Sequence, residues 1–155
     1  EEFSFVLALA SNLDKNEVKS RFQIPDYIIV EKNITHSVMK YSDFAFVTSG
    51  TATLETALFE TPLIVLYKMN SLTFALAKLL VDIKYISLVN LIPDQSFVPE
   101  LIQNDMNAAN IVDTFENIYF DEKKINDTKC NLKKLKDLLA SENPLKRLAE
   151  EIKNF

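Results

Sequence analysis

The sequence predicts an α/β fold: a parallel sheet flanked by helices and followed by C-terminal helices. Three observations carry this reading. Short apolar runs alternate with charged or amphipathic stretches of helical length. The apolar runs are nearly continuous, the pattern of strands in a sheet covered on both faces. The only glycine, Gly50, stands at a strand-to-helix turn, where about ten glycines are usual at this length.

The elements follow in order. Phe3–Ala10 reads as an inner strand, and Ser11-Asn12 as a turn. Asp14–Phe22 is a charged helix with Asp14 as its N-cap, stopped by Pro25. Tyr27–Val30 is a second strand, rich in β-branched residues, and Thr35–Tyr41 a short helix. Phe44–Val47 is a third strand, and Ala52–Phe59 the helix after Gly50. Pro62 leads into a fourth strand, Leu63–Tyr67. Ser71–Val81 is a nearly apolar helix, and Tyr85–Leu88 a short fifth strand. Val98–Gln103 and Ala108–Tyr119 read as helices. Glu122–Leu139 and Pro144–Phe155 are amphipathic helices. They carry Leu132, Leu135, Leu138, Leu139, Leu145, Leu148 and Ile152 at helical spacing.

At 155 residues the chain fits one domain, with residues 1–120 as an α/β core and 121–155 as C-terminal helices. A strand so near the first residue leads us to expect a piece of a longer protein. The formal charge of −5 argues against a nucleic-acid partner, which would need a basic face. Charge is uneven: residues 1–120 sum to −7 and residues 121–155 to +2. The single cysteine, Cys130, rules out an internal disulfide and a cysteine zinc cluster, and fits a reducing compartment. No run of about 18 uncharged apolar residues suggests a transmembrane helix.

Gly50 lies in Ser49-Gly50-Thr51-Ala52-Thr53-Leu54-Glu55. A helix start offers unpaired N–H groups and positive dipole charge to a phosphate, and glycine lets the backbone approach closely. Glu55 is one turn further on, within reach of a group bound there. These residues fit a nucleotide pyrophosphate on the turn with Glu55 on a ribose. They equally fit an ordinary tight turn with a capped helix. In parallel sheets ligands bind at the carboxyl ends of strands. Ser11-Asn12, Glu31, Ser49-Gly50-Thr51, Lys68 and Asn90 are therefore expected to converge on one edge.

Other chemistries lack their residues. His36 is the only histidine, which leaves no His-rich metal site, and it has no evident catalytic partner. Ser49 is in no G-x-S-x-G elbow. No lysine follows Gly50 in a P-loop pattern. The third strand ends in Thr48-Ser49 rather than in an acidic phosphoacceptor. A flavodoxin-type flavin loop is hydroxyl-rich like Ser49–Thr53 but follows the first strand. A non-catalytic flavodoxin-like module remains the alternative. The Ser71–Val81 helix fits either buried core or an apolar surface for lipid, with Lys68, Lys78 and Lys84 around it.

From Ser49 to Gln103 a series of short motifs resembles one enzyme family. They are Ser49–Glu55 as quoted, Thr61-Pro62, Tyr67-Lys68-Met69, Thr73-Phe74, Leu76-Ala77-Lys78, Tyr85-Ile86-Ser87-Leu88, Asn90-Leu91 and Val98-Pro99-Glu100-Leu101. In order and spacing the chain resembles the lipid-A-disaccharide synthases, glycosyltransferases of family 19 with two Rossmann-like domains (GT-B). The family usually has Pro where Val89 stands. The resemblance implies the C-terminal, Rossmann-like, UDP-sugar-binding half of such an enzyme. The whole enzyme transfers 2,3-diacylglucosamine from UDP to the 6-hydroxyl of 2,3-diacylglucosamine 1-phosphate in lipid A synthesis.

It further implies donor contacts from Ser49, Gly50, Thr51, Glu55, Lys68 and Asn90. Ser49, Thr51 and the turn amides would neutralise the UDP leaving group, and Glu55 would hold the ribose. Asn90 would fix a phosphate or the donor sugar, and Lys68 would add charge near the diphosphate. No catalytic residue, metal or cofactor is implied for this stretch. The acceptor site and general base belong to an N-terminal domain, so this stretch alone is expected to be inactive. The implied partners are the UDP-sugar donor, the lipid acceptor, a membrane surface and a second copy in a homodimer. The implied place is the cytoplasmic side of the inner membrane of a Gram-negative bacterium.

Overall fold

A computed structural model of the chain describes residues 3–70 and 84–141. The helices expected over Ser71–Val81 and Pro144–Phe155 lie outside the described residues. The architecture is α/β with parallel strands, and the chain divides into two compact units, residues 1–42 and 43–155.

In the first unit β1 (Phe5–Leu9) pairs in parallel with β2 (Ile28–Lys32), in a register running from Phe5 opposite Ile28 to Leu9 opposite Lys32. Helix α1 (Lys15–Phe22) connects them. It starts where expected: the Asp14 carboxylate accepts from the amides of Asn16 and Glu17 at 2.9 and 2.8 Å, filling two of the open N–H positions. It stops because Gln23 turns left-handed, φ 48°, and donates back to the last carbonyls. Helix α2 (Thr35–Tyr41) closes the unit. Leu9 and Val30 are buried, and Lys15 pairs with Glu31 at 2.8 Å. An apolar cleft of about 570 Å³ lies beside α1, lined by Leu7, Leu9, Leu13, Val18, Phe22 and Ile24 among others.

The second unit holds a three-stranded parallel sheet in the order β3 (Ala45–Thr48), β4 (Leu63–Tyr67), β5 (Glu100–Ile102). Ala45 lies opposite Leu63, and Val65 opposite Glu100. Helix α3 (Thr51–Leu58) follows β3. After β4 come the short α4 (Leu88–Leu91), then β5, a 3-10 turn over Gln103–Asp105, α5 (Ala108–Tyr119) and α6 (Glu122–Ser141). Leu132 and Leu135 of α6 are fully buried with Ala57, Leu63, Val65, Val89, Phe97 and Val98, and Leu139 packs against this core. Leu138 of the same stripe is instead 40% exposed. On another flank Phe44 and Phe46 meet Phe115 of α5, with ring centroids 5.0 and 5.8 Å apart. Such pairs add directionality to apolar burial.

Two expected elements are corrected. Tyr85–Leu88 is not a strand: it runs as a loop into α4. Val98–Gln103 is not a helix: its middle is β5. Pro99 supplies the reason. The residue before a proline is driven out of the helical region, so Val98-Pro99 enters an extended segment. The Pro99 carbonyl then accepts from the Val65 amide at 2.9 Å, which seats the segment against β4.

Candidate functional site

Because β3, β4 and β5 run parallel, their carboxyl ends share one edge of the second unit. Ser49 and Gly50 follow β3, Lys68 follows β4 and Gln103 follows β5. Residues Ser11, Asn12 and Glu31 belong to the first unit, and Glu31 is engaged by Lys15 there.

Gly50 explains itself by its backbone. It adopts φ 150° and ψ −167°, a region essentially reserved for glycine. A Cβ built there would meet nothing within 4 Å, so conformation rather than crowding demands glycine, and the space outside it is open. The ladder reaches this point through the Ser49 amide, which donates to Leu66 at 3.0 Å. Helix α3 then begins at Thr51 with no side chain capping it. Thr53 turns inward instead, its hydroxyl donating to the Gly50 carbonyl at 2.7 Å and thereby bracing the turn. Thr51 is exposed and Glu55 half-buried; at a spacing of four they lie on one helix face. Lys68 is exposed just beyond β4. The edge thus presents amides at a helix start, a hydroxyl, a carboxylate and an ammonium: groups suited to a phosphorylated sugar or nucleoside.

Ser49 and Asn90 each make hydrogen bonds within the fold. The Ser49 hydroxyl donates to the Ile86 carbonyl, a long contact at 3.4 Å. Asn90 is 1% exposed, and its amide is spent inside the fold. Its oxygen accepts from the Phe97 and Val98 amides at 2.8 and 3.0 Å. Its nitrogen donates to the Val98 carbonyl and the Glu100 carboxylate at 2.8 and 2.9 Å. An amide offers four such positions, and all four are used. Asn90 therefore shapes the loop before β5.

Glu100 and Gln103 are the residues that sequence reasoning passed over. The Glu100 carboxylate accepts from the amides of Ile86 (2.8 Å) and Ser87 (3.0 Å), the Ser87 hydroxyl (2.7 Å) and Asn90. Gln103, at φ 54°, pairs its amide with both backbone groups of Met69, at 2.9 and 3.2 Å. Two polar residues, one at each end of a short strand introduced by proline, were the available signal. Nearby, Lys84 lies 4.9 Å over the Tyr85 ring and 3.4 Å from Asp94. Its pKa is raised, first by the contact with Tyr85 and then by the Asp94 charge. Among the described residues no three His, Cys, Asp or Glu side chains are grouped to hold a metal ion, and no helix is long and apolar enough to cross a membrane.

Comparison with known proteins places the chain in a family. A family model described as lipid-A-disaccharide synthetase matches residues 1–152. The chain belongs to that family. A lipid-A-disaccharide synthase of Persephonella marina is 35% identical over 160 residues, covering 100% of this chain and 42% of the relative. One from Wigglesworthia glossinidia brevipalpis is 42% identical over 119 residues, covering 72% of this chain and 31% of the relative. One from a Sulfurihydrogenibium species is 30% identical over 166 residues, covering 100% of this chain and 43% of the relative. The chain therefore spans less than half the length of these members of the lipid-A-disaccharide synthetase family.

Proposed function

We propose that this chain forms the donor-binding part of a lipid-A-disaccharide synthase, holding the UDP of a UDP-2,3-diacylglucosamine donor on the Gly50 turn. The observation that carries the reading is Gly50: a glycine-only backbone opening an uncapped helix at the carboxyl edge of a parallel sheet, with open space outside it. Family membership supplies the chemistry. In the transfer, the bond from the sugar anomeric carbon to the diphosphate breaks and the diphosphate leaves with the electron pair. The acceptor 6-hydroxyl oxygen takes its place on the carbon and gives its proton to a general base. Negative charge grows on the leaving diphosphate, so fixed N–H donors at the start of α3 lower the barrier. Thr51 and Lys68 stand on the same edge to share that charge, and Glu55 accepts from ribose hydroxyls. The general base and acceptor site are assigned to residues outside this chain, and the reaction to the cytoplasmic face of a bacterial inner membrane.

Titrating UDP, ADP and FMN into the isotope-labelled chain tests the site. UDP is expected to shift the amides of Ser49, Gly50, Thr51 and Glu55 more than the other two ligands do. Shifts confined to α5 and α6 would end the proposal. Glu55→Ala is expected to weaken UDP binding by about 1.5–3 kcal/mol, the worth of a hydrogen bond to a charged group. Calorimetric titration reads this, and unchanged affinity would return Glu55 to the status of an ordinary helix residue.

A further inference from the structure

Glu100 opens β5 and is not one of the proposed donor contacts, yet its carboxylate gathers four hydrogen bonds. Its two oxygens hold the successive amides of Ile86 and Ser87, an arrangement in which backbone N–H groups converge on one anion. The Ser87 hydroxyl and Asn90 bind the same carboxylate, at 2.7 and 2.9 Å. The consequence passes through one peptide unit. A peptide is planar and, here, trans, so its C=O and N–H point in opposite directions. Fixing the Ser87 N–H on Glu100 sends the Ile86 C=O the other way, and there it accepts the Ser49 hydroxyl. A serine hydroxyl has one hydrogen. With that hydrogen given to Ile86, the Ser49 oxygen is left with lone pairs that can only accept.

We propose that Glu100 is a positioning residue: through the Ile86–Ser87 peptide it fixes the Ser49 hydroxyl as an acceptor for an O–H or N–H group of the bound nucleotide. Ser49 then reads the ribose or the base, and the phosphate charge is left to the turn amides, Thr51 and Lys68. The inference rests on the donor-site reading above. Gln103 does the parallel task at the neighbouring strand end, tying down Met69 immediately after Lys68.

A double-mutant cycle on UDP binding by the full chain tests the proposal. Ser49→Ala and Glu100→Gln are each expected to raise the UDP Kd about tenfold, the scale of one well-placed hydrogen bond. The Ser49→Ala/Glu100→Gln double variant is expected to bind no worse than Ser49→Ala alone, because without the hydroxyl the direction of the Ile86 carbonyl no longer matters. A role confined to stability would lower the melting temperature of Glu100→Gln while leaving its UDP Kd unchanged. Multiplicative effects, or an unchanged Kd in either single variant, overturn the positioning role while UDP binding by the wild type still upholds the donor site. A wild-type chain that takes up no UDP overturns both. If Glu100→Gln does not fold, Glu100→Asp, which keeps the charge on a stem one methylene shorter, enters the same cycle with the same criteria.

Discussion

Strands β1 (FVLAL) and β4 (LIVLY) are both five residues long and almost wholly apolar, yet they sit in opposite surroundings. In β4, Leu63, Ile64 and Val65 are completely buried between helices and neighbouring strands. In β1, Phe5, Val6 and Leu7 are 45, 40 and 37% exposed. An apolar run thus specifies a strand, whereas burial depends on which elements lie against it. The second unit has α3 and α6 to cover β4 and its neighbours; among the described residues the first has two strands and two short helices.

The largest expected effect tests that contrast with one residue type. Ile64→Ala removes a fully buried side chain and is expected to cost about 2–5 kcal/mol. Ile29→Ala, at a β2 site that is 51% exposed, should cost under about 1 kcal/mol. Urea unfolding followed by circular dichroism measures both, and equal losses would break the comparison.

A smaller effect separates the two ways a helix begins. Gly50→Ala forces a side chain into a glycine-only conformation and is expected to cost about 1–3 kcal/mol. Asp14→Ala removes the cap of α1 and is expected to cost about 1 kcal/mol. Thermal melts of the two variants rank them. If Gly50→Ala melted like the wild type, the turn would be free to relax, and its stiffness would no longer be part of the site.

The smallest effect compares ion pairs. Lys15–Glu31 joins α1 to β2 at 2.8 Å, and Lys136–Glu60 joins α6 to the end of α3 at 2.6 Å. Both are partly solvated, so each lysine-to-methionine change should cost about 0–1 kcal/mol. The losses should shrink further in high salt. A salt-independent loss would mean that the lysine stems, not the charges, hold these elements together.

Much of this was legible from sequence where local chemistry decides. Asp14 announced α1, Thr35–Tyr41 and Ala108–Tyr119 were helices over their expected spans, and Leu63–Tyr67 was a strand over its own. Legibility ended where partners decide. Tyr85–Leu88 looks like a strand, but Glu100, more than ten residues later in the chain, takes the Ile86 and Ser87 amides that a strand would offer its neighbour. Asn90 looked like a polar residue at a sheet edge, but its amide is consumed by Phe97, Val98 and Glu100. At the candidate site, Gly50 was readable because one residue type answers one backbone need. Glu100 was not, because nothing local distinguishes a carboxylate that organises a loop from one that faces water.

The uncovered side chains of β1 have a colloidal consequence. At pH 7 the formal charge of −5 keeps copies of the chain apart. Near the sequence pI of 4.9 that repulsion vanishes, while Phe5, Val6 and Leu7 stay as exposed as before. Apolar strands in contact with water are templates for pairing between chains. Mild acid should therefore make this 155-residue chain cloud, and alkaline, low-salt buffers should hold it in solution.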